Sequence, residues 1–584
     1  MRRRPTAPLT AAVACLLGML AAAPAEAQGG GLGGPITIGG TLVTYGELYG
    51  TNRTDPFRPS QTGRIELDPT VSLYGKVNLA FSFLLSSSNG SNFGLGGLPG
   101  RQHLNQFGVS PTWSWGRAHL GAFSESYSPL TLDGTRLTGA GFDLHPGFFH
   151  VGAFAANSQD AVYGDATSGG FSRTVLGGRI GIGRGSATRE GSFLDLIVLR
   201  AWDNPKSLPS PTDSSAPTLP TGIGANAFAV TPQSNFVTSL VGRLALLQSR
   251  LVWSGELAGA VHSRDRRATP IATSQLSGYP GFLSGVMTPR VGTHGDYAYR
   301  TRVSYAIQHL PGWSPSSPRS LTASVGYQRI GAGYVSLGTA WLLNDVSAWD
   351  AKTNVRFRRW SAQLGTTLQH DNLDHQKLAT TWRRRVVGMF NWQATTLWNT
   401  SITASYLGMT NGNADPLVAI AYSNWSLGTT QVFALRRGRF LRNVALTYTF
   451  NHAGDANPLR FATGYVTHLA QAQVTVQPSA HLMLRPSLGA LVTRFGGAGW
   501  STRMTYGLAG SWRAPGSPWM LSASAATSHA PDANTVVGGL RVQYRLPTAD
   551  MLTLSVRSQY FGDQLQTTRS FHDVTASLQW MRHF

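Results

Sequence analysis

The chain has 584 residues, 42% apolar and only 13% charged, with 48 Lys+Arg against 27 Asp+Glu and a formal net charge of +21. Its single cysteine, Cys15, excludes a disulfide-stapled fold. No apolar run beyond the N-terminus reaches the roughly 18 residues of a membrane helix, and the wealth of Phe, Tyr and Trp excludes a disordered chain.

Arg2, Arg3 and Arg4 precede the apolar stretch LTAAVACLLGMLAAA, and AEA then ends at Ala27. This is the pattern of a secretory signal peptide over 1–27 with an A-x-A cleavage site. Apolar residues continue well past Cys15, so it does not read as a lipoprotein anchor. Cleavage removes three arginines and one glutamate and leaves a net charge of +19. An exported chain with scarce lysine and short basic runs does not meet nucleic acid, so the charge has another use. Residues 28–36 are glycine-rich and read as a flexible leader, and 37–584 read as one domain.

From TIGGTLVTYGELYG (37–50) onward, segments alternate apolar and polar residues, the period that puts alternate side chains on opposite faces of a strand. In RTVLGGRIGIG (173–183), Arg173 and Arg179 share a face, and no strand–loop–helix context turns the glycines of GGRIGIGRG into a nucleotide-binding loop. In YAYRTRVSYAIQ (297–308), Tyr297, Tyr299, Val303, Tyr305 and Ile307 oppose Arg300, Arg302, Ser304 and Gln308. In HLMLRPSLGALV (481–492), Leu482, Leu484, Leu488 and Val492 oppose Arg485 and Ser487. VVGGLRVQYRL (536–546) and MLTLSVRSQY (551–560) set their apolar residues against Arg541, Gln543 and Arg545, and against Arg557 and Gln559. The chain ends on FHDVTASLQWMRHF (571–584), with Leu578, Trp580 and Phe584 on one face.

A soluble sandwich alternates too, so the links decide. Tight links at 74–76, 115–117, 145–147, 477–480, 514–517 and 547–550 take turns with long polar ones. The long ones include 51–61, 88–103, 204–233, 263–296, 331–349, 371–380, 410–420 and 452–463, although 333–348 also reads as an extra hairpin. One plain end and one elaborated end predict an all-β fold: a single antiparallel transmembrane β-barrel of about 26 strands, with short periplasmic turns and long extracellular loops. The first strand then closes on the last, leaving no free edge.

Three stretches, NQFGVSPTWSWGRAHLGAFSESYSPLTLDG (105–134), GYQRIGAGYVSLGTAWLLND (326–345) and LQHDNLDHQKL (368–378), resemble segments of a poorly characterised family of large outer-membrane β-barrel proteins from Gram-negative bacteria. The resemblance covers about a tenth of the chain. It implies fold and location and carries no substrate, cofactor or catalytic residue. The ending also resembles the C-terminal insertion signal of such barrels, carried here by Leu578, Trp580 and Phe584. Arg582 departs from it, standing where an apolar residue is usual, and its long stem can snorkel at the interface.

A charge on the lipid face at mid-membrane costs about 2–4 kcal/mol, which turns Arg300, Arg302, Arg485, Arg541, Arg545 and Arg557 into the lumen. Basic lumens favour anions; the bland alternative is that these arginines pair with wall carboxylates. His370, Asp371, Asp374 and His375 in HDNLDHQ have the chemistry of a weak metal or acid–base site, but as loop residues they read first as turn formers. The long links 204–222 and 263–296 are candidates to fold inward and narrow the pore. The expectation is a channel or transporter in the outer membrane of a Gram-negative bacterium, passing polar, anionic solutes through a basic lumen narrowed by loops or a partner. It is no enzyme and uses no cofactor. Its partners are outer-membrane lipid, the barrel-assembly machinery during insertion, and a periplasmic or surface protein if the lumen needs one. A surface binding platform with a blocked lumen is the alternative, and an outer-membrane hydrolase is a distant third.

Overall fold

The computed structural model describes residues 35–584 apart from 55, 57, 88–104, 162–169, 185–190, 209–229, 273–284, 308–319, 340, 436–439, 461–462 and 549. The expected signal peptide and most of the expected leader therefore lie outside the described residues. Twenty-six strands follow one another: β1 (Ile36–Thr51), β2 (Gln61–Leu73), β3 (Val77–Ser86), β4 (Gln106–Trp113), β5 (Gly116–Glu125), β6 (Thr135–Leu144), β7 (Phe149–Gln159), β8 (Arg173–Gly183) and β9 (Phe193–Asp203). Next come β10 (Ser234–Leu246), β11 (Leu251–Ser263), β12 (Thr293–Ile307), β13 (Ser320–Ile330), β14 (Val346–Arg356), β15 (Trp360–His370), β16 (Trp382–Gln393), β17 (Trp398–Thr410) and β18 (Ala421–Ala434). The last are β19 (Leu441–Asp455), β20 (Tyr465–Ser479), β21 (Leu482–Phe495), β22 (Trp500–Trp512), β23 (Trp519–His529), β24 (Ala533–Arg545), β25 (Met551–Asp563) and β26 (Phe571–His583). Each pairs antiparallel with the next, and β1 pairs with β26, so the sheet closes into one barrel with no edge.

The alternation sorts the wall into two surfaces. On β9, Leu194, Leu196 and Val198 face outward while Asp195, Ile197 and Leu199 are buried inside. The same outward register exposes Leu240, Leu257, Val303, Val325, Leu364, Leu427, Leu488, Leu508, Leu540, Leu554 and Leu578. An apolar belt that circles the molecule is far larger than any patch a water-soluble protein tolerates. Aromatic residues edge it: Trp349, Trp382, Trp425 and Trp500 towards the long-link rim, and Trp253, Trp392, Trp398 and Trp519 towards the short-turn rim. Hydrocarbon is the solvent such a surface requires, and the barrel is a membrane-spanning one. No helix among the described residues is long and apolar enough to cross a membrane, so the strands do the crossing.

Short and long links alternate around the barrel with exceptions on both rims: the short-turn rim carries the longer connections 184–192 and 308–319, and towards the C-terminus the long-link rim carries the brief connections 496–499 and 530–532. The 331–345 link forms no hairpin of its own among the described residues: β13 stops at Ile330 and β14 starts at Val346.

The seam between β1 and β26 is fixed at both ends. At the short-turn end the Gly40 and Phe584 backbones exchange hydrogen bonds of 2.8 and 3.2 Å. A Cβ on Gly40 would lie 2.6 Å from the Asp68 carbonyl oxygen and 2.7 Å from the Pro69 Cα, so only glycine lets three backbones meet there. Arg582, the apparent misfit, has its Nε 3.9 Å from Asp550 Oδ1 in the β24–β25 turn. At the other end Asp573 accepts from Thr51 Oγ1 at 2.6 Å and Tyr49 OH at 3.1 Å, and Arg53 pairs with it at 3.2 Å. Gly40→Val, like deletion of Phe584, is therefore expected to cut the yield of heat-modifiable folded barrel sharply. Gly46→Val, where an added Cβ meets nothing within 4 Å, should leave that yield unchanged on the same gel.

Candidate functional site

The lumen has two unlike halves. Against β5–β13 it is filled by two links that turn inward from the long-link rim, 126–134 and 331–345. Tyr127, Leu130, Leu132 and Tyr334 from these links are almost wholly buried. They pack with Val175, Ile197, Leu199, Val237, Ala258, Ala260 and Ala298, inward residues of β8–β12, into one apolar core. Each such side chain contributes about 1.5–3 kcal/mol on burial, enough to hold a link against its own chain entropy.

Polar contacts fix how the links sit. Glu256 Oε1 on β11 accepts from Ser128 Oγ at 2.6 Å and from the Leu130 amide at 3.2 Å. Thr131 Oγ1 donates to Ser239 Oγ at 2.8 Å. The two links hold each other: Tyr334 OH donates to the Leu130 carbonyl at 2.9 Å and Ser336 Oγ to the Thr131 carbonyl at 2.6 Å. Asn235 of β10 clamps the second link by giving a bond of 2.9 Å to the Val335 carbonyl and accepting one of 3.0 Å from the Leu337 amide. Gly338 makes their closest approach feasible, since a Cβ there would lie 2.5 Å from the Thr131 carbonyl oxygen. Burial raises the pKa of Tyr127 and Tyr334 well above the usual phenol range, so both phenols stay neutral and Tyr334 remains a donor.

Below this core lies a buried charge network. Arg179 is 2.5 Å from Asp143 and 3.9 Å from Asp195, and its guanidinium faces the Tyr127 ring at 5.1 Å. Arg117 bridges Glu125 and Asp143 at 2.9 and 3.4 Å, and His150 meets Asp195 at 2.9 Å. Arg173 pairs with Asp203 at 2.7 Å. Buried ions of this kind are tolerated because each has a partner.

The other half of the lumen is lined by β14–β26 and β1–β4, and among the described residues none before Phe123 or beyond Leu342 packs into that core. Its inward faces are rich in Ser, Thr, Asn and Gln, as on β17–β20. Arg485, Ala509, Ser524, Gly539 and Arg557 lie side by side across five strands, and Met483, Ser511, Ser522, Arg541 and Ser555 form the next level. Small residues between large cations leave a concavity of about 610 Å³ lined by Arg485, Arg541 and Arg557. Four strand spacings put Arg485 and Arg557 about 19 Å apart, so the three form a trail rather than a ring. Among the described residues no carboxylate comes within ion-pair distance of Arg485, Arg541, Arg545 or Arg557.

The remaining arginines of the expected set lie elsewhere. Arg545 faces the same way at the short-turn rim. Arg302 is held by both oxygens of Asp350, at 2.9 and 2.8 Å, and Arg300 stands across from Glu256. Arg383 and Arg385 on β16, which the sequence reading passed over, face inward opposite Gln369 and Thr367. The alternation within WRRRVV was the available signal.

The described part of the 263–292 link does not enter the lumen. Met287 is buried with Val261 and Phe236 on the outside of β10–β11. The 204–222 link lies mostly outside the described residues.

The HDNLDHQ segment is a stapled turn. His370 lies on Trp382, with ring centroids 4.5 Å apart, while Asp374 and His375 are exposed. Asn372 and His375 take left-handed φ of 61° and 56°. Lys377 Nζ bridges Asp345 Oδ2 at 2.5 Å and Asp371 Oδ2 at 3.0 Å, tying this turn to the inward link. Among the described residues no three His, Cys, Asp or Glu side chains are grouped to hold a metal ion.

Burial works against the Asp345 carboxylate, but bonds from Lys377 and from the Leu373 and Asn372 amides outweigh it and hold its pKa below the ordinary value. Lys377 is raised, chiefly by its bond to Asp345. The depressed carboxylate stabilises above its unfolded pKa and loses that contribution as pH falls through its folded one. The raised ammonium loses its contribution only as pH climbs through the upper end of the lysine range. Protection of the Asn372 and Leu373 amides from hydrogen exchange should hold through neutral pH and fall below about pH 4. In Lys377→Gln, protection should already be reduced at neutral pH.

No family model matches the chain, and no curated protein matches it. Among solved structures the chain is similar to the translocation pore of the P pilus usher PapC, with 11% identity, 94% of this chain and 99% of that one covered, and a TM-score of 0.34. It is also similar to BauA, the ferric preacinetobactin receptor of Acinetobacter baumannii (9% identity, 93% and 80% covered, TM-score 0.37). The ferric citrate transporter FecA is matched at 9% identity, 93% and 78% coverage and a TM-score of 0.36. At these identities and TM-scores the likeness bears on neither substrate nor mechanism.

Proposed function

We propose that the chain is a channel or transporter of the outer membrane of a Gram-negative bacterium that passes polar, anionic solutes through the open half of its lumen. The observation that carries this reading is the concavity of Arg485, Arg541 and Arg557, set in a wall of small hydroxyl side chains and, among the described residues, with no carboxylate in ion-pair range. Fixed cations in a water-filled passage concentrate anions and deter cations. The inward links 126–134 and 331–345 narrow a barrel whose strand number would otherwise leave a pore wider than a porin's. No catalytic step is assigned to any residue. Leu578, Trp580 and Phe584 serve as the insertion signal read by the barrel-assembly machinery. Purified protein in planar bilayers tests the reading: anion-selective conductance supports it, and correctly folded but silent protein favours a blocked surface platform instead.

A further inference from the structure

A second basic site lies on the outside of the barrel. Arg200 faces outward on β9, three residues below the long-link rim, in the register occupied elsewhere by leucines and aromatics. Its Nε donates to the Val286 carbonyl at 3.1 Å, and its Nη1 reaches Ser234 Oγ and the Asn235 carbonyl at 2.8 and 2.9 Å. This guanidinium pins the returning limb of the β11–β12 link to the outer wall, where Met287 is buried with Phe236 and Val261. Between that limb and β8–β10 lies a cavity of about 630 Å³, with Leu176, Val198 and Phe236 in its apolar lining and Arg200, Trp202 and Arg266 around them.

Among the described residues neither Arg266 nor Arg290 has a carboxylate within ion-pair distance. Asp203 is nearby, but Arg173 takes both its oxygens, at 2.7 and 3.1 Å, and the Gln233 amide shares one at 2.9 Å. Burial, then repulsion from Arg290, lowers the Arg266 pKa against the opposing pull of Asp203, as desolvation does to a cation. An apolar cleft open to the bilayer and capped by cations at headgroup height fits one chemistry, an anionic amphiphile.

We propose that this cavity binds a phosphate-bearing lipid of the outer leaflet, its phosphate held by the Arg200 and Arg266 guanidinium groups and an acyl chain laid along Leu176, Val198 and Phe236. Guanidinium suits the task because its planar donor set matches phosphate oxygens. The site is independent of the lumen and of any solute passing through it.

Native mass spectrometry of the full-length protein in detergent, titrated with bisphosphorylated lipid A, tests the proposal. Arg200→Gln with Arg266→Gln should weaken binding about tenfold or more, and wild-type protein should discriminate as strongly against fully dephosphorylated lipid A. Arg494→Gln, at an exterior arginine 5.0 Å from the Trp500 ring, should bind as wild type does. Equal loss in the Arg494 variant, or equal wild-type affinity for the dephosphorylated lipid, overturns the proposal. Displacement of the lipid by millimolar inorganic phosphate alone overturns the lipid assignment and leaves a soluble-anion site. The wild-type comparison needs no substitution, so it decides the matter even if the double variant fails to fold.

Discussion

Removing both inward links raises single-channel conductance about twofold or more, with the barrel still closed. The expectation follows from where the links are anchored. Replacing 127–133 and 332–344 by short turns removes Tyr127, Leu130, Leu132 and Tyr334, the part of the apolar core that projects from the wall. The 26-strand ladder, in which every strand has two partners, does not depend on them. Removing 332–344 alone should do less. The other link would lose its bonds from Tyr334 and Ser336 but keep those to Glu256 and Ser239. Removing only 127–133 would leave Tyr334 and Leu337 without cover, and that variant should show noisy, flickering current. Unchanged conductance in the double deletion would mean that the open half of the lumen, and not the plug, sets the flow.

Replacing Arg485, Arg541 and Arg557 together by glutamine removes most of the anion preference while leaving conductance near its wild-type size. In water a unit charge about 7 Å from a passing ion is worth about 0.6 kcal/mol, close to RT, or roughly a two- to threefold local enrichment per arginine. Three such charges spread along the wall give up to about tenfold at low salt, falling as the Debye length shrinks to about 10 Å at 0.1 M. Reversal potentials in a salt gradient measure this directly. Arg302→Gln is the informative control. Asp350 already balances that charge, so its loss should leave selectivity unchanged or push it towards cations. A triple variant as anion-selective as wild type would remove these residues from the path.

The repeating parts of this molecule were legible because period-two alternation is local. Leu552, Leu554 and Val556 against Thr553, Ser555 and Arg557 names a strand and its two faces without knowledge of the rest. Link lengths then gave the rims, and an even strand count put the termini together. What alternation cannot see is a link that leaves the rim. SESYSPLTLDG looks like an exposed loop, and its one clue was the density of Tyr and Leu in a segment meant for water. GYVSLGTAWLL carried the same clue, in a long link that also read as a spare hairpin. The 263–296 link, a candidate constriction, returns over the outside because Met287 has a pocket there between Phe236 and Val261.

The charges were legible only as faces. Nothing local pairs Arg302 with Asp350, 48 residues on, or Arg582 with Asp550. The expected set of arginines thus proved to be two populations, one balanced against the plugged wall and one along the open wall. The three stretches that carry the family resemblance are brought together: two supply the plug, and Lys377 of the third ties its turn to Asp345 of the second.

The most direct test of the central claim is the zero-current potential of wild-type protein in a planar bilayer under a KCl gradient. A potential of the sign set by chloride, weakening as salt rises, is the result expected of a lumen lined by Arg485, Arg541 and Arg557 with Arg383, Arg385 and Arg545 on the same wall. A cation-selective potential, or no current from protein shown to be folded, would contradict it.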